Sequence, residues 1–232
     1  MSDTTPRSWT EPITKSRTVP YVAPFVTYAV VMEMERILRV PLSIGYPLRI
    51  LSATCVIWLV SRPVLPRTTM QILGSVSLGA AVFLIWISPD VLFGYRHSWL
   101  FENPITGVAL SSAPESLKTN TVFTSCRFFG CAVVVPIIEE LFWRGWLMRW
   151  LIKQKFELVP LGTYAPRAFW IVAVFFASEH GPYWEVGLVA GIAYNWWMIR
   201  TKSLADCMVA HSVTNALLSI YVLVGDHWEY WY

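Results

Sequence analysis

Apolar residues in this chain run in long blocks, separated by short polar stretches. Crossing a bilayer core of about 30 Å takes about 20 such residues in a helix, with about 17 as the lower limit. Seven blocks reach or approach that length: 21–40, 44–60, 69–89, a long one from about 120, 167–180, 185–199 and 204–224. Glu33, Glu35 and Arg36 interrupt the first, and Arg62 with Pro63 closes the second. The third carries no charge at all. The fourth is too long for one simple crossing, so it is expected either to leave the membrane as a continuous helix or to kink at Pro136. Residues 90–119 turn polar and read as an interfacial loop with a short amphipathic piece. The pattern predicts an all-α polytopic transmembrane bundle of about seven spans, six to eight, in one membrane domain over 21–232 behind a polar N-terminal arm, 1–20.

Composition agrees. Hydrophobic residues make up 55% of the 232, charged residues only 14%, and the mean hydropathy is +0.49. A soluble domain has about 25% charged residues. Disorder is excluded by the wealth of apolar and aromatic side chains. The net charge of +3 fits basic loops on one side of a membrane and gives no nucleic-acid signature. Residues 1–20 lack the apolar stretch of a signal peptide, so insertion is assigned to the internal helices. Cys55, Cys126, Cys131 and Cys207 form no CxxC and read as buried small hydrophobes.

Basic residues cluster in 61–67, 144–155 and 200–202. The positive-inside rule puts those loops, and the N-terminus, in the cytoplasm and the tail DHWEYWY outside. Arg36, Arg39 and Arg49 oppose this scheme. The expected location is a bacterial inner membrane.

Charge at bilayer depth costs at least ~2.5–3.5 kcal/mol on insertion scales and usually faces a cavity or a partner. Glu139, Glu140 and Arg144 lie in the fourth block, His180 ends the fifth, and His211 and Asn215 lie inside the seventh. Glu140 and Arg144 are four apart, so one helix face pairs them. Glu139 points about 100° away and has Trp143 at i+4, which makes it the freer carboxylate. Phe176 and His180, and His211 and Asn215, are likewise i,i+4. Three helices thus each offer a two-residue face to one cavity.

A desolvated carboxylate beside an imidazole can take a proton from water. A His and an Asn one turn apart can donate to a developing oxyanion. No serine lies in a GxSxG context, so hydrolysis by activated water is favoured over a covalent route. That route needs no cofactor. Zinc held by Glu139, His180 and His211 is the competing arrangement, although the HExxH helix is absent.

These residues also resemble a known family. EELFWR (139–144) is similar to the EExxxR motif of the CPBP intramembrane proteases, the group holding the Rce1-type CAAX prenyl endopeptidases and bacterial relatives. FASEH (176–180) and HSVTN (211–215) are similar to its FxxxH and HxxxN/D motifs, in the family's order. The resemblance covers about 120–224. It implies an endopeptidase in which Glu139 is the base activating water with help from His180, and His211 and Asn215 form the oxyanion pocket. Glu140 and Arg144, with Phe176 of the second motif, would support the site. Metal dependence has also been described for the family. RTVPYVAPFVTYAVVMEME, YPLRI and SLADCMVAHSVTNALLSIYVL are similar to the CAAX-protease-related proteins found alongside bacterial exosortase systems. That narrower likeness speaks against prenylated CAAX substrates and implies a membrane-inserted sorting signal or another membrane peptide; the expected partner is a membrane-embedded or lipidated peptide or protein substrate.

Bland readings stand beside these. The Glu139–Arg144 stretch can be the charged end of a helix, His180 a helix cap, and His211 with Asn215 inter-helix glue. Glu33 and Glu35 are expected at an interface or paired with Arg36 and Arg39, and Asp206 at the start of the last helix. The aromatic residues are expected to anchor the interface, with Trp143, Trp146 and Trp184 near the site. A proton- or cation-coupled transporter and a non-catalytic scaffold are the rival functions.

Overall fold

The computed structural model describes residues 16–69, 71–94, 96–107 and 113–231. Residues 1–15 of the expected polar arm lie outside the described residues. Among these, helix is the only extended secondary structure, so the chain is an all-α bundle. Seven long helices follow the seven apolar blocks. They are α1 Val19–Leu38, α2 Leu42–Val64, α3 Ile72–Phe93, α4 Thr121–Trp150, α5 Pro166–Ser178, α6 Trp184–Thr201 and α7 Leu204–Gly225. Four of them, α2, α3, α4 and α7, are long and apolar enough to cross a membrane. The other three fall short: α1 carries Glu33, Glu35 and Arg36, α5 has 13 residues, and α6 opens on Trp184 and Glu185 and keeps Asn195 and Arg200. The protein is therefore an integral membrane protein with a mixed set of long and short helices.

Helix α4 does not break at Pro136. It runs continuously, with the backbone widening to π-helical turns at Gly130–Val134 and Leu141–Leu147. Such turns free carbonyls from the i→i−4 ladder and often mark functional sites. Pro136 sits directly after the first, at the start of the α-helical turn Val135–Glu140, where its missing N–H costs least.

Helix α7 lies in the middle, against α3, α4 and α6. Ser203 caps it, its Oγ accepting from the Asp206 amide. Asp206 itself does something else: its Oδ1 accepts from the Gln71 amide (2.9 Å) and the Ser75 hydroxyl (3.2 Å), tying α7 to the start of α3. The two helices approach closely at Gly79, where a Cβ would stand 2.4 Å from the Ala210 carbonyl oxygen. Gly79→Ala is accordingly expected to destabilise the protein by ~1–3 kcal/mol through overpacking, read as a lowered melting temperature in detergent.

One pairing differs from expectation and one agrees with it. Glu35 is buried and pairs with Arg49 of α2, whereas Glu33 takes Arg36 at 2.8 Å. The i,i+3 rule sees only pairs within one helix, and α1 and α2 fold back on each other. Of the cysteines only Cys207 is buried. Cys55 is exposed, and Cys126 and Cys131 are partly so.

Candidate functional site

The second π-helical turn of α4 brings Arg144 into the interior. Glu140 and Arg144 are both fully buried and joined at 3.0 Å. Arg144 uses all three of its nitrogens: Nη1 on Glu140, Nε on Asn195 Oδ1 (2.9 Å) and Nη2 on the Gly191 carbonyl (3.3 Å). Its guanidinium also lies over the rings of Phe176 (4.5 Å) and Tyr194 (5.5 Å). Asn195 passes the link onward, donating to the Phe169 carbonyl of α5 at 2.8 Å. One buried cation thus fastens α4, α5 and α6 together.

Glu140 Oε1 has a second partner, His211 Nδ1 of α7, at 3.0 Å. A carboxylate oxygen accepts, so Nδ1 carries the proton and Nε2 is the other face of the ring. That Nε2 lies 4.0 Å from Glu139 Oε2, which has no hydrogen-bond partner among the described residues. His211 therefore bridges the occupied carboxylate and the freer one. Tyr194 of α6 stacks on its ring (4.9 Å, 22°) and is itself held by donating to Thr214 Oγ1 at 2.7 Å.

His180 sits one residue past the C-cap of α5. Its Nδ1 lies 2.7 Å from the Phe176 carbonyl, which can only accept, so Nε2 is left to the interior. Phe176 and Trp86 pack on its ring at 4.7 and 5.2 Å. Asn215 Nδ2 donates to the Cys131 carbonyl (3.0 Å), which lies in the first π-helical turn of α4.

Glu139, Phe176, His180, His211 and Asn215 line one cavity of about 140 Å³. Glu140 and Arg144 lie behind it. Its other walls were not foreseen: Trp86 and Tyr194, and Tyr230 and Trp231 from the tail read as external. Of the three tryptophans expected nearby, Trp143 packs on Phe176 (6.4 Å), whereas Trp146 and Trp184 stack elsewhere, on Trp150 and Phe101. The tail folds back as a turn over Trp228–Trp231. Burial, and then the neighbouring Asp90, push the Tyr230 hydroxyl above its ordinary pKa, in keeping with its donation to Asp90 Oδ2 at 3.1 Å.

As a metal site the set fits poorly. Tetrahedral zinc ligands at about 2.0–2.1 Å stand about 3.3 Å apart, against 4.0 Å for Glu139 and His211. The described residues contain no group of three His, Cys, Asp or Glu arranged to hold a metal.

No curated protein and no solved structure matches the chain. A family profile does, over residues 121–217, and its description is type II CAAX prenyl endopeptidase Rce1-like. That stretch opens at the start of α4 and includes every motif residue lining the cavity. Residues 121–217 are thus similar to the Rce1-like type II CAAX prenyl endopeptidases.

Proposed function

We propose that this protein is an intramembrane endopeptidase that hydrolyses a peptide bond of a membrane-associated substrate, with Glu139 as the base. The family match supports the reaction class. The observation that carries the residue roles is the shared cavity, where an unpartnered carboxylate oxygen faces an imidazole nitrogen 4.0 Å away. A water admitted between Glu139 Oε2 and His211 Nε2 by a small opening of the site would be within hydrogen-bond reach of both.

The chemistry runs as follows. Glu139 takes a proton from that water as its oxygen bonds to the carbonyl carbon. The charge that develops on the carbonyl oxygen is met by the Asn215 amide, which keeps one hydrogen after serving Cys131. His211, with Nδ1–H committed to Glu140, donates from Nε2 only once that nitrogen is protonated. It is therefore suited to relay a proton as well as to donate. The proton then passes to the amide nitrogen and the C–N bond breaks. His180, with Nε2 as its free acceptor, orients the water. The narrower substrate class, a membrane-embedded or lipidated peptide without a required prenyl group, and an inner bacterial membrane with the N-terminus in the cytoplasm belong to this same reading.

Reconstituted in liposomes with a membrane-anchored fluorogenic peptide, the protein is expected to cleave it at a rate a divalent-metal chelator leaves unchanged. Gly187→Ala probes His180 from behind, because a Cβ there meets the imidazole at 3.1 Å. It should lower the rate by several-fold to about tenfold, because the ring must give by a fraction of an ångström, while the protein stays folded. Loss of cleavage with chelator and recovery with zinc would overturn the metal-free route. A His180-dependent proton flux without cleavage would favour a transporter.

A further inference from the structure

The tail of the described chain supplies part of the cavity wall. After α7, Asp226 takes a left-handed conformation (φ 59°) and reverses the backbone, and Trp228–Trp231 lie back across the bundle with Trp228, Tyr230 and Trp231 buried. Three hydrogen bonds from three other parts of the chain pin this strap. Tyr230 donates to Asp90 Oδ2 at the end of α3 (3.1 Å). Tyr183, beside the His180 turn, donates to the Glu229 carbonyl (3.2 Å). Arg127 of α4 donates to the Trp231 carbonyl (3.3 Å). The anchors are themselves braced: Asp90 and Glu185 both pair with Arg96, at 2.8 and 2.7 Å, and Arg96 donates to the Pro182 carbonyl at 2.8 Å. Tyr230 and Trp231 face the same cavity as Glu139 and His180.

We infer that Tyr230 and Trp231 are specificity-determining residues, forming a movable outer wall that sets how large a group reaches Glu139. This rests on the endopeptidase reading for its consequence in cleavage, but the wall itself can be measured without any reaction. The strap follows the reversal at Asp226 and is held to its neighbours by their side chains, through the Tyr230 hydroxyl and its own Glu229 and Trp231 carbonyls. A wall built this way can swing outward while the helices bearing Glu139 and His211 stay packed. The cavity beneath, about 140 Å³, holds a group of about the size of one small ring or aliphatic side chain. A polypeptide backbone needs the wall displaced.

The test uses Ser219, a buried residue lining the cavity. Ser219→Cys is made in the full chain with Cys55, Cys126 and Cys131 replaced by alanine, leaving only the buried Cys207. Labelling rates are compared for a small and a bulky methanethiosulfonate reagent. With the strap intact, the small reagent should react at least about tenfold faster. Trp231→Ala should abolish that ratio, and Tyr230→Phe, which removes only the bond to Asp90, should speed both reagents by about tenfold. Cleavage of reporters graded by side-chain size should shift toward larger side chains in Trp231→Ala. Unchanged labelling ratios in folded variants would overturn the inference. Changed labelling ratios with no cleavage by any variant would keep the wall and sink the endopeptidase reading.

Discussion

Glu139→Gln is expected to lose cleavage by about 10²–10⁴-fold, the range a positioned general base contributes, while remaining as stable as the parent or slightly more so. The stability half of this expectation comes from what surrounds the side chain. Its Oε2 has no hydrogen-bond partner among the described residues, and the nearest fixed cation, Arg144, is engaged by Glu140, Asn195 and Gly191. Removing a poorly compensated charge from the interior does not unfold a protein. The amide keeps the shape but accepts no proton from water. Near-complete activity in liposomes would dismiss Glu139 as the base. Loss of both activity and folding would place it among the structural residues instead.

Arg144→Met should have the opposite profile, a loss of fold first and of activity as a consequence. The substitution strands Glu140 at zero exposure and leaves the Asn195 and Gly191 oxygens without their donor. Breaking a buried pair from one side costs ~3–5 kcal/mol, and the remaining His211 Nδ1 bond offsets little of it. The measurement is unfolding in detergent, with Glu140→Leu and the double variant as companions. If the charges are a matched set, the double variant recovers much of what Arg144→Met loses. If Arg144→Met melts within a degree or two of the parent, the buried network is not what fastens α4 to α5 and α6.

Much of this site was legible from spacing alone. Four-residue intervals paired Glu140 with Arg144 and left Glu139 free, because helical geometry is local and the side chains are long enough to meet. The run of seven apolar blocks was equally readable as seven helices, although only four qualify as spans by length and composition. What escaped is what depends on contacts between distant segments. Asn215 gives a hydrogen to Cys131, 84 positions away, and only because a π-helical turn offers that carbonyl. Tyr194 and Trp86 were indistinguishable from lipid-facing aromatics until α6 and α3 were placed. Glu35 found Arg49 across a helical hairpin, although Arg36 and Arg39 were nearer in sequence. The tail's lack of Lys and Arg bears only on its side of the membrane; that its aromatic rings tuck under neighbouring segments depends on contacts with residues far away in the chain.

The widened stretch Leu141–Leu147 has a consequence for how this chain tolerates change in length. A π-helical turn accommodates one residue more than an α-helix would over the same rise. Deleting a single residue there lets the stretch close into a regular α-helical turn and leaves the two ends nearly in phase, because the extra residue is absorbed locally. Arg149, whose guanidinium folds back on the Gly145 carbonyl and reaches Val159, would keep its side of the helix. What such a shortening would disturb is the spacing of Glu140 and Arg144, so the fold should outlast the buried pair.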